Sequence, residues 1–419
     1  MHRKMIVAVL LGAALGVAAN LLAPGAPWVD ALARNVAQPI GQLFIRLLFM
    51  IVVPMLFSAL VLGVSELDLR QLGRMGARML GYTAVVSAIA VLIGVVLVDL
   101  VGPGRGLPDE VRALAQSAGS GVKPVSAPAG DTVGAIVLAL VPDNPVKAAA
   151  TGDYIGLIFF ALFFGVALAL TPTEPSRKLR EVLQGVYDVS MTVIGIVLKL
   201  APLGVGCLLF VMTSRLGLAV VKPVLSYVFV VVLGLGLHLF VVYSASVWFL
   251  GRMSPRFFFR GARLAMLTAF STASSSATLP TALRVAEENL LLPRRVARFV
   301  LTAGSAMNQN GTALFEGVTV LFLAQVYGVE LSLGQQLLTM SLCVLAGIGT
   351  AGIPTASIPF IAMILGIIGV PVEGVGLVLG VDRLLDMCRT TVNVTGDLAA
   401  AVFVARSEPA EAPEIETAI

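Results

Sequence analysis

The sequence predicts an all-α polytopic membrane protein, and three observations carry that prediction. Of the 419 residues, 58% are hydrophobic and 12% are charged, with a mean hydropathy of +0.97, whereas soluble domains usually carry about 25% charged residues. Apolar segments repeatedly approach the roughly 20 residues that a helix needs to cross a bilayer. Near the carboxyl end, charged residues recur at helical spacing inside an apolar region, which is typical of a functional site within the membrane.

Six apolar segments lie ahead of residue 256, and each regular one predicts a membrane helix. They run over 5–22, 41–64, 81–101, 132–170, 186–212 and 224–250. The fourth contains Pro-Asp-Asn-Pro at 142–145, and because proline breaks a helix we expect this segment to be in pieces. The Pro-, Gly- and Ser-rich stretch 102–131 predicts an exposed outer loop, and the acidic end 407–419 predicts a disordered cytoplasmic tail.

The basic residues form short clusters between the apolar segments. These are Arg70, Arg74 and Arg78; Arg177, Lys178 and Arg180; Arg252, Arg256, Arg260 and Arg263; and Arg294, Arg295 and Arg298. Because Lys and Arg are enriched in cytoplasmic loops, the clusters predict that both ends of the chain are cytoplasmic. The formal net charge of +4 therefore indicates membrane topology and not a nucleic-acid partner.

A polar stripe lies within the stretch VDRLLDMCRTTVNVTGD near the carboxyl end. Asp382, Asp386, Arg389, Asn393 and Asp397 recur at gaps of four, three, four and four, which places them on one face of a helix. A charge near the bilayer centre costs roughly 2.5–3.5 kcal/mol on insertion scales, so such residues usually face a protein interior or a water-filled site. The stripe could offer a cation to an anion and a carboxylate to an ammonium or metal ion. The alternative is a set of structural ion pairs between helices.

Beyond residue 256 the regular pattern is interrupted three times. A Ser-rich run ending in Pro occupies 271–280, Asn-Gln-Asn-Gly-Thr occupies 308–312, and a Gly-rich run containing Pro occupies 347–357. Paired interrupted segments are typical of re-entrant hairpins in transporters built from inverted repeats. The break at 308–312 would free carbonyl oxygens that can bind a cation such as sodium. Close helix packing by small residues is the alternative, and it would explain one such run but hardly two beside an Asn-rich break.

These stretches resemble the glutamate transporter family, also called the dicarboxylate/amino acid:cation symporters. The matching residues are Ser274-Ser275-Ser276 with Thr278-Leu279-Pro280, Asn308 to Thr312 followed by Ala313-Leu314-Phe315-Glu316-Gly317, Gly349-Thr350-Ala351-Gly352-Ile353-Pro354, and the stripe from Asp386 to Asp397. Pro142-Asp143-Asn144-Pro145 and Leu200-Ala201-Pro202-Leu203-Gly204-Val205 also match. The likeness covers essentially the whole chain.

The resemblance implies a fold and an assembly. It implies eight transmembrane helices, two re-entrant helical hairpins, inverted repeats and an elevator-type mechanism in a homotrimer. Scaffold helices would occupy 1–70 and 132–215. A transport domain would comprise the third membrane helix at 71–101 and residues 216–406, which would hold the sixth, seventh and eighth membrane helices and both hairpins.

The resemblance also implies how an acidic amino acid would bind. The implied substrate-binding residues are Arg389, Asp386, Asn393, Thr390, Thr312, Ser274, Ser275, Ser276, Gly352 and Pro354. Arg389, helped by Thr312, would bind the distal carboxylate, and Asp386 would bind the amino group. The α-carboxylate would be held by Asn393 and by Ser274, Ser275 and Ser276, which form the tip of the first hairpin (the first tip); the Gly-rich run at 347–357 would form the second tip. The chemistry agrees, because a guanidinium presents a planar fork to a carboxylate. We expect L-glutamate or L-aspartate ahead of C4-dicarboxylates, since a substrate without an amino group would leave Asp386 unpaired.

Sodium ions are the coupling ions that the resemblance implies. One retained site would use Asp397, Asn308, Gly304 and Asn393, and another would use carbonyls around Gly347, Ile348 and Thr350. At a third site, family members usually carry an Asp where this chain has Asn310, and a Tyr and a Thr where it has Thr83 and Val86, with Ser87 retained. Loss of that carboxylate removes most of the attraction for a small hard cation, so we expect this third site to be absent.

Glu316 raises the proton as a second coupling ion. It matches a position at which eukaryotic family members carry a protonatable Glu, and burial without a partner would favour the neutral form of its carboxyl. The alternative is a hydrogen-bonded Glu316 that takes no part in transport. The sequence leaves open whether sodium, protons or both drive uptake.

Rival functions fit the sequence less well. No zinc-protease, nucleophile-elbow or Walker A motif occurs, and only His2 and His238 could serve as histidine bases, so we expect neither an enzyme nor an ATP-driven pump. A passive anion channel would not need Asp386 and Arg389 in a closed site. We therefore expect a symporter without a cofactor, in contact with lipids in a bacterial inner membrane.

Overall fold

The computed structural model describes residues 2–65, 73–105, 141–151, 153–349 and 357–406, and the regular elements in these ranges are helices. We number them α1 (His2–Leu22), α2 (Pro27–Ser65), α3 (Gly73–Val101), α4 (Pro145–Thr151), α5 (Tyr154–Leu170), α6 (Glu174–Leu216), α7 (Gly217–Leu250), α8 (Pro255–Thr272), α9 (Ser275–Arg284), α10 (Arg294–Met307), α11 (Asn310–Tyr327), α12 (Leu333–Gly349), α13 (Ile358–Ile368), α14 (Val375–Leu379) and α15 (Asp382–Ala405). The predicted all-helical class is confirmed in these ranges.

Several of these helices have membrane length. Among the described residues, Pro27–Ser65, Met75–Val101 and Gly217–Leu250 are long and apolar enough to cross a bilayer, and α6 adds a fourth if its two bent halves count as one span. Shorter apolar helices lie at Leu10–Leu22, Gly156–Leu170, Leu333–Gly347 and Ile358–Ile368. The predicted count of eight membrane helices stays a prediction.

Proline shapes the longest helix. Helix α6 bends by 52° between Val197 and Lys199, and Pro202 lies inside the helix just beyond the bend. The proline ring has no N–H for the carbonyl of residue 198 and crowds that carbonyl sterically. The predicted interruption at 142–145 is also present in its described part, since α4 begins only at Pro145 and α5 begins separately after Asp153.

The first predicted break separates α8 from α9. Ala273 has a left-handed backbone (φ 49°) that ends α8, and the Ser274 side chain caps α9 by accepting a hydrogen bond from the Ala277 N–H at 3.2 Å. The two helices contact each other. A break between two helices that pack against each other is the geometry that the Ser-rich run predicts.

The helices pack in two groups. Helix α6 packs against α1 and α2, and α2 packs against α5. In the second group, α11 contacts α3, α7, α12 and α15, while α8 and α10 pack against α15. Helix α11 is buried on nearly every face, so it forms the centre of this second group.

Some predictions fall outside the described residues. These concern most of the outer loop 102–131, the second-tip residues Thr350, Gly352 and Pro354, and the tail 407–419.

Candidate functional site

The polar stripe lies on α15 as its spacing predicts. Asp382, Asp386, Arg389, Asn393 and Asp397 are each no more than 3% exposed. Helix α15 is one continuous helix over these positions, so the side chains line one face. Burial of this many charged and polar groups requires partners within the protein, and the contacts of each residue show where they are.

Arg389 pairs with two carboxylates of its own helix. Its Nε and Nη2 lie 3.0 and 2.9 Å from Oδ1 of Asp386, and its Nη1 donates to Oδ1 of Asp382 at 3.1 Å. The guanidinium also lies 4.2 Å from the ring centre of Phe315 on α11, within the range of a cation–π contact. Arg389 is thus held by charges that an incoming carboxylate could replace.

The second oxygen of Asp386 is less well satisfied. Among the described residues Oδ2 accepts no hydrogen bond, and Nη1 of Arg383 lies 3.6 Å from it. Asp386 therefore keeps a buried acceptor on the face of α15 where the resemblance places the substrate's amino group.

The break between α10 and α11 is shorter than the sequence predicts. Only Asn308 and Gln309 are non-helical, and the helix restarts at Asn310. The reason is a cap supplied from α15: Oδ1 of Asn393 accepts from the N–H groups of Gly311 (2.7 Å) and Thr312 (3.3 Å), which satisfies the first free donors of α11. The prediction that residues 310–312 are unwound was wrong.

The side chain of Asn393 is fully engaged in this structure. Its Nδ2 donates to Oγ1 of Thr312 at 3.0 Å and to Oε1 of Gln309. Asn393 and Thr312, which the resemblance implies as substrate-binding residues, are therefore in direct contact. Their remaining partners are groups of the break itself.

Asp397 lies against the same break from the other side. Its Oδ1 accepts from Nδ2 of Asn308 at 2.9 Å. A Cβ atom on Gly304 would lie only 2.6 Å from that oxygen, so glycine permits the close approach of α10 to α15. The carbonyl oxygen of the Asn308 amide is buried and unpartnered among the described residues. Three of the residues expected to bind sodium are thus brought together.

Asn310 is satisfied by hydroxyl groups from two other helices. Ser87 on α3 donates to its Oδ1 at 2.5 Å, and its Nδ2 donates to the Tyr243 hydroxyl on α7 at 3.1 Å. Tyr243 in turn donates to the carbonyl of Val392 at 3.1 Å. We call Ser87, Asn310, Tyr243 and the Val392 carbonyl the amide network. It joins α3, α7, α11 and α15 without a charged group.

The other residues of the expected lost site lie beside this network on α3. Thr83 and Val86 are buried, and the Thr83 hydroxyl has no hydrogen-bond partner among the described residues. Thr83 and Val86 therefore lie on the same helix as Ser87, but neither side chain makes a described hydrogen bond with Asn310.

Glu316 is completely buried on α11, and neither carboxyl oxygen has a hydrogen-bond partner among the described residues. This differs from the alternative of a hydrogen-bonded, satisfied carboxyl. No described donor would therefore stabilise an ionised carboxylate at this position.

The remaining predicted residues occupy the two tips and α15. Ser274 and Ser275 are buried at the start of α9, Ser276 is exposed, and Thr390 is buried on α15. Gly347 lies near the end of α12, where a Cβ atom would be 3.4 Å from the Gln309 carbonyl oxygen. Ile348 is the next residue of the same helix. The end of α12 therefore lies against the break.

Sequence reasoning missed two residues of the site. Tyr243 lies in an apolar segment with no local motif, and its contact with Asn310 spans 67 residues of sequence. Gln309 was recognised only as part of the break, yet its side chain binds Asn393. Hydroxyl and amide groups in otherwise apolar helices were the available signal, but their partners depend on helix packing.

A comparison with known families matches nearly the whole chain. The family described as the sodium:dicarboxylate symporter family matches residues 1–407. The matched range contains every residue of the stripe, the break and both tips. Among the described residues, this range holds no group of three or more His, Cys, Asp or Glu that could bind a metal by itself.

Curated relatives match over similar lengths. The chain is 31% identical to a proton/glutamate-aspartate symporter of Escherichia coli, over 97% of the chain and 92% of the relative. It is 30% identical to a proton/sodium-glutamate symport protein of Bacillus caldotenax, over 96% of the chain and 93% of the relative. An excitatory amino acid transporter of Ambystoma tigrinum is 31% identical over 87% of the chain and 76% of the relative.

Proposed function

The chain belongs to the sodium:dicarboxylate symporter family, and we propose that it imports L-glutamate or L-aspartate coupled to sodium, protons or both. Family membership makes the protein a multi-pass, cation-coupled membrane symporter and not an enzyme. It confirms the expectation of a symporter and the expectation that the protein is not an enzyme.

The observation that carries the proposal is the buried pair of Arg389 and Asp386. Their side chains are each 3% exposed and in contact at 2.9 Å. An acidic amino acid carries a distal carboxylate for the first and an ammonium for the second. Binding would therefore exchange the Arg389–Asp386 ion pair for two ion pairs with the substrate, so neither of these two buried charges would be left alone.

The relatives support the same substrate class. The two bacterial proteins are named for transport of glutamate, one of them also for aspartate. At about 30% identity a substrate can differ between family members, so the proposal depends on the Arg389–Asp386 pair in this chain. Thr312, Thr390, Asn393 and the first-tip serines are proposed to complete the site, together with Gly352 and Pro354.

Two candidate coupling ions remain within the proposal. Sodium would bind near Asp397, Asn308, Gly304 and Asn393, and near the carbonyls of Gly347, Ile348 and Thr350. A proton would be carried by Glu316, whose carboxyl oxygens have no donor. The names of the bacterial relatives include a proton symporter and a proton/sodium symporter, so both ions are tested below.

The mechanism and assembly are also proposals. We propose that the group around α11 and α15 moves as a transport domain against a scaffold of α1, α2, α5 and α6, in a homotrimer of the bacterial plasma membrane with both termini cytoplasmic. The eight-helix topology with two hairpins belongs to the same proposal. Most of the described contacts between helices fall within these two groups, and fewer join them, such as those of α12 with α2 and of α14 with α6, which supports the division.

The test is uptake by the purified protein in liposomes. Labelled L-aspartate and L-glutamate are offered under an inward sodium gradient and, separately, an inward proton gradient. Accumulation above the equilibrium level under at least one gradient is expected. Uptake with sodium alone would assign the coupling to the Asp397 region, and uptake with protons alone would assign it to Glu316. Absence of uptake under both would overturn the acidic amino acid proposal.

The second candidate substrate is a C4-dicarboxylate such as succinate. It would satisfy Arg389 but bring no ammonium to Asp386. One contact favours keeping this candidate, because Arg383 lies 3.6 Å from the free oxygen of Asp386. Labelled succinate in the same liposomes separates the two substrate classes.

A further inference from the structure

Four charged side chains occupy the first two turns of α15. They are Asp382, Arg383, Asp386 and Arg389, so two positive and two negative charges balance. The described contacts of Arg389 are with Oδ1 of Asp386 and Oδ1 of Asp382. Oδ2 of Asp386 and Nη1 of Arg383 face each other at 3.6 Å, and neither atom makes a hydrogen bond among the described residues.

Arg383 differs from its neighbours in exposure. Its side chain is 26% exposed, against 3% for Asp386. A partly exposed side chain retains rotamer freedom, and a movement of about 1 Å would shorten the contact to a charge-assisted hydrogen bond. Arg383 can therefore follow a change in the charge around Asp386.

The proposed binding mode produces such a change. When Arg389 turns to the distal carboxylate of a substrate, Asp386 loses the cation at Oδ1. An amino acid replaces that cation with its ammonium, but a C4-dicarboxylate does not. Because a buried carboxylate without a cation is strongly unfavourable, binding of an amine-free substrate requires another cation within reach of Asp386.

We propose that Arg383 is a specificity-determining positioning residue that stands in for the substrate's ammonium at Asp386. The inference rests on the proposed function, since it requires Arg389 to bind a substrate carboxylate. Arg383 then sets the difference in affinity between substrates with and without an amino group. By neutralising Asp386, it reduces the discrimination between L-aspartate and succinate without contacting either.

The rival explanation is an ordinary ion pair between residues three apart on a helix, which contributes little when partly exposed. Such a pair would affect the stability of the protein. It would not change the relative affinities for two substrates that differ by one amino group. The ratio of these affinities therefore distinguishes the two roles.

The experiment measures that ratio in liposomes, as the Ki of succinate against labelled L-aspartate uptake divided by the KM of L-aspartate. Arg383→Gln keeps a polar side chain but removes the charge. We expect the ratio to rise about tenfold or more, because a tenfold change in affinity corresponds to about 1.4 kcal/mol. Arg383→Lys restores a cation and should return the ratio to within about threefold of the wild type. Arg298→Gln is the control, because it removes an exposed arginine paired with Glu287 at 3.4 Å.

An unchanged or lower ratio in Arg383→Gln overturns the inference, and so does failure of succinate to compete in the wild type. If the Gln variant does not fold, Arg383→Met gives the same readout. If the wild-type protein transports succinate but neither acidic amino acid, that result overturns the proposed function but not the inference on Arg383. In that case the inference is judged by the KM for succinate, which must rise about tenfold in Arg383→Gln.

Discussion

Two regions at one helix break place a buried polar side chain in different surroundings. Beside Asn308, the carboxylate of Asp397 accepts one described hydrogen bond from a neutral amide. Beside Ser87, the corresponding polar residue is Asn310, and the amide network satisfies both ends of its side chain. No basic side chain pairs with Asp397 in the part of the chain that the structure describes. An ionised Asp397 would therefore call for a cation in the first region, whereas the neutral amide of Asn310 in the second region does not.

We propose that the second region removes a cation requirement by replacing a carboxylate with a hydrogen-bonded amide. Replacing a carboxylate by an amide removes the charge, but it also adds an N–H donor that must be satisfied when buried. The Tyr243 hydroxyl is the acceptor for that donor, and it donates its own hydrogen bond to the Val392 carbonyl. We therefore interpret Asn310 and Tyr243 as a matched pair that replaces a cation by hydrogen bonds.

The largest expected effect follows from removing the charge in the first region. Asp397→Asn keeps the size of the side chain but removes the carboxylate, so a cation loses its strongest ligand. We expect cation-driven uptake to fall about a hundredfold or more, equivalent to roughly 2.7 kcal/mol. The measurement is the initial rate of labelled L-aspartate uptake, together with the thermal midpoint in sodium and in choline. Stabilisation by sodium should be smaller in the variant, because the proposed site at Asp397 is lost and the one at the Gly347, Ile348 and Thr350 carbonyls is retained.

Asp188→Asn is the matched control for this prediction. Asp188 lies on α6 and accepts from Gln184 at 2.9 Å on an exposed surface, so its loss should leave uptake close to the wild-type rate. Retention of half of the uptake by Asp397→Asn would remove the distinction between the two regions.

The stripe and its partners show how far sequence reasoning reaches. The recurrence of polar residues at helical spacing predicted one buried face of α15, and the Ser- and Asn-rich runs predicted where helices end. These features are local, so they depend on short-range geometry. The cap that Asn393 gives to α11, the pairing of Arg389 with Asp382, and the position of Arg383 require the side-chain arrangement. The contact of Tyr243 with Asn310 further requires the packing of α7 against α11, which no local pattern predicts.

The next largest effect is expected at Asn310, in the second region. Asn310→Asp introduces a carboxylate whose described neighbours, Ser87 and Tyr243, carry only neutral hydroxyl groups, so the buried charge gains no cation from the protein. We expect uptake at low sodium to fall about tenfold, equivalent to roughly 1.4 kcal/mol, and to recover at high sodium. The measurement is the sodium dependence of the initial uptake rate.

Asn310→Ala separates the effect of charge from the effect of lost hydrogen bonds. It should lower the thermal midpoint without shifting the sodium dependence. Identical sodium curves for Asn310→Asp and the wild type would mean that a carboxylate at this position does not create a cation requirement.

The smallest expected effect concerns Tyr243. Tyr243→Phe keeps the ring but leaves the Nδ2 donor of Asn310 without its described acceptor, and an unsatisfied buried donor costs about 1–3 kcal/mol. Tyr227→Phe is the matched control: Tyr227 is also fully buried and bonds the Thr319 hydroxyl at 2.8 Å, but Thr319 retains its bond to the Phe315 carbonyl. We expect the thermal midpoint to fall by several degrees more in Tyr243→Phe than in Tyr227→Phe. Equal losses would mean that the Tyr243 hydroxyl does no more than an ordinary buried hydroxyl, and the replacement of a cation by the amide network would have to be abandoned.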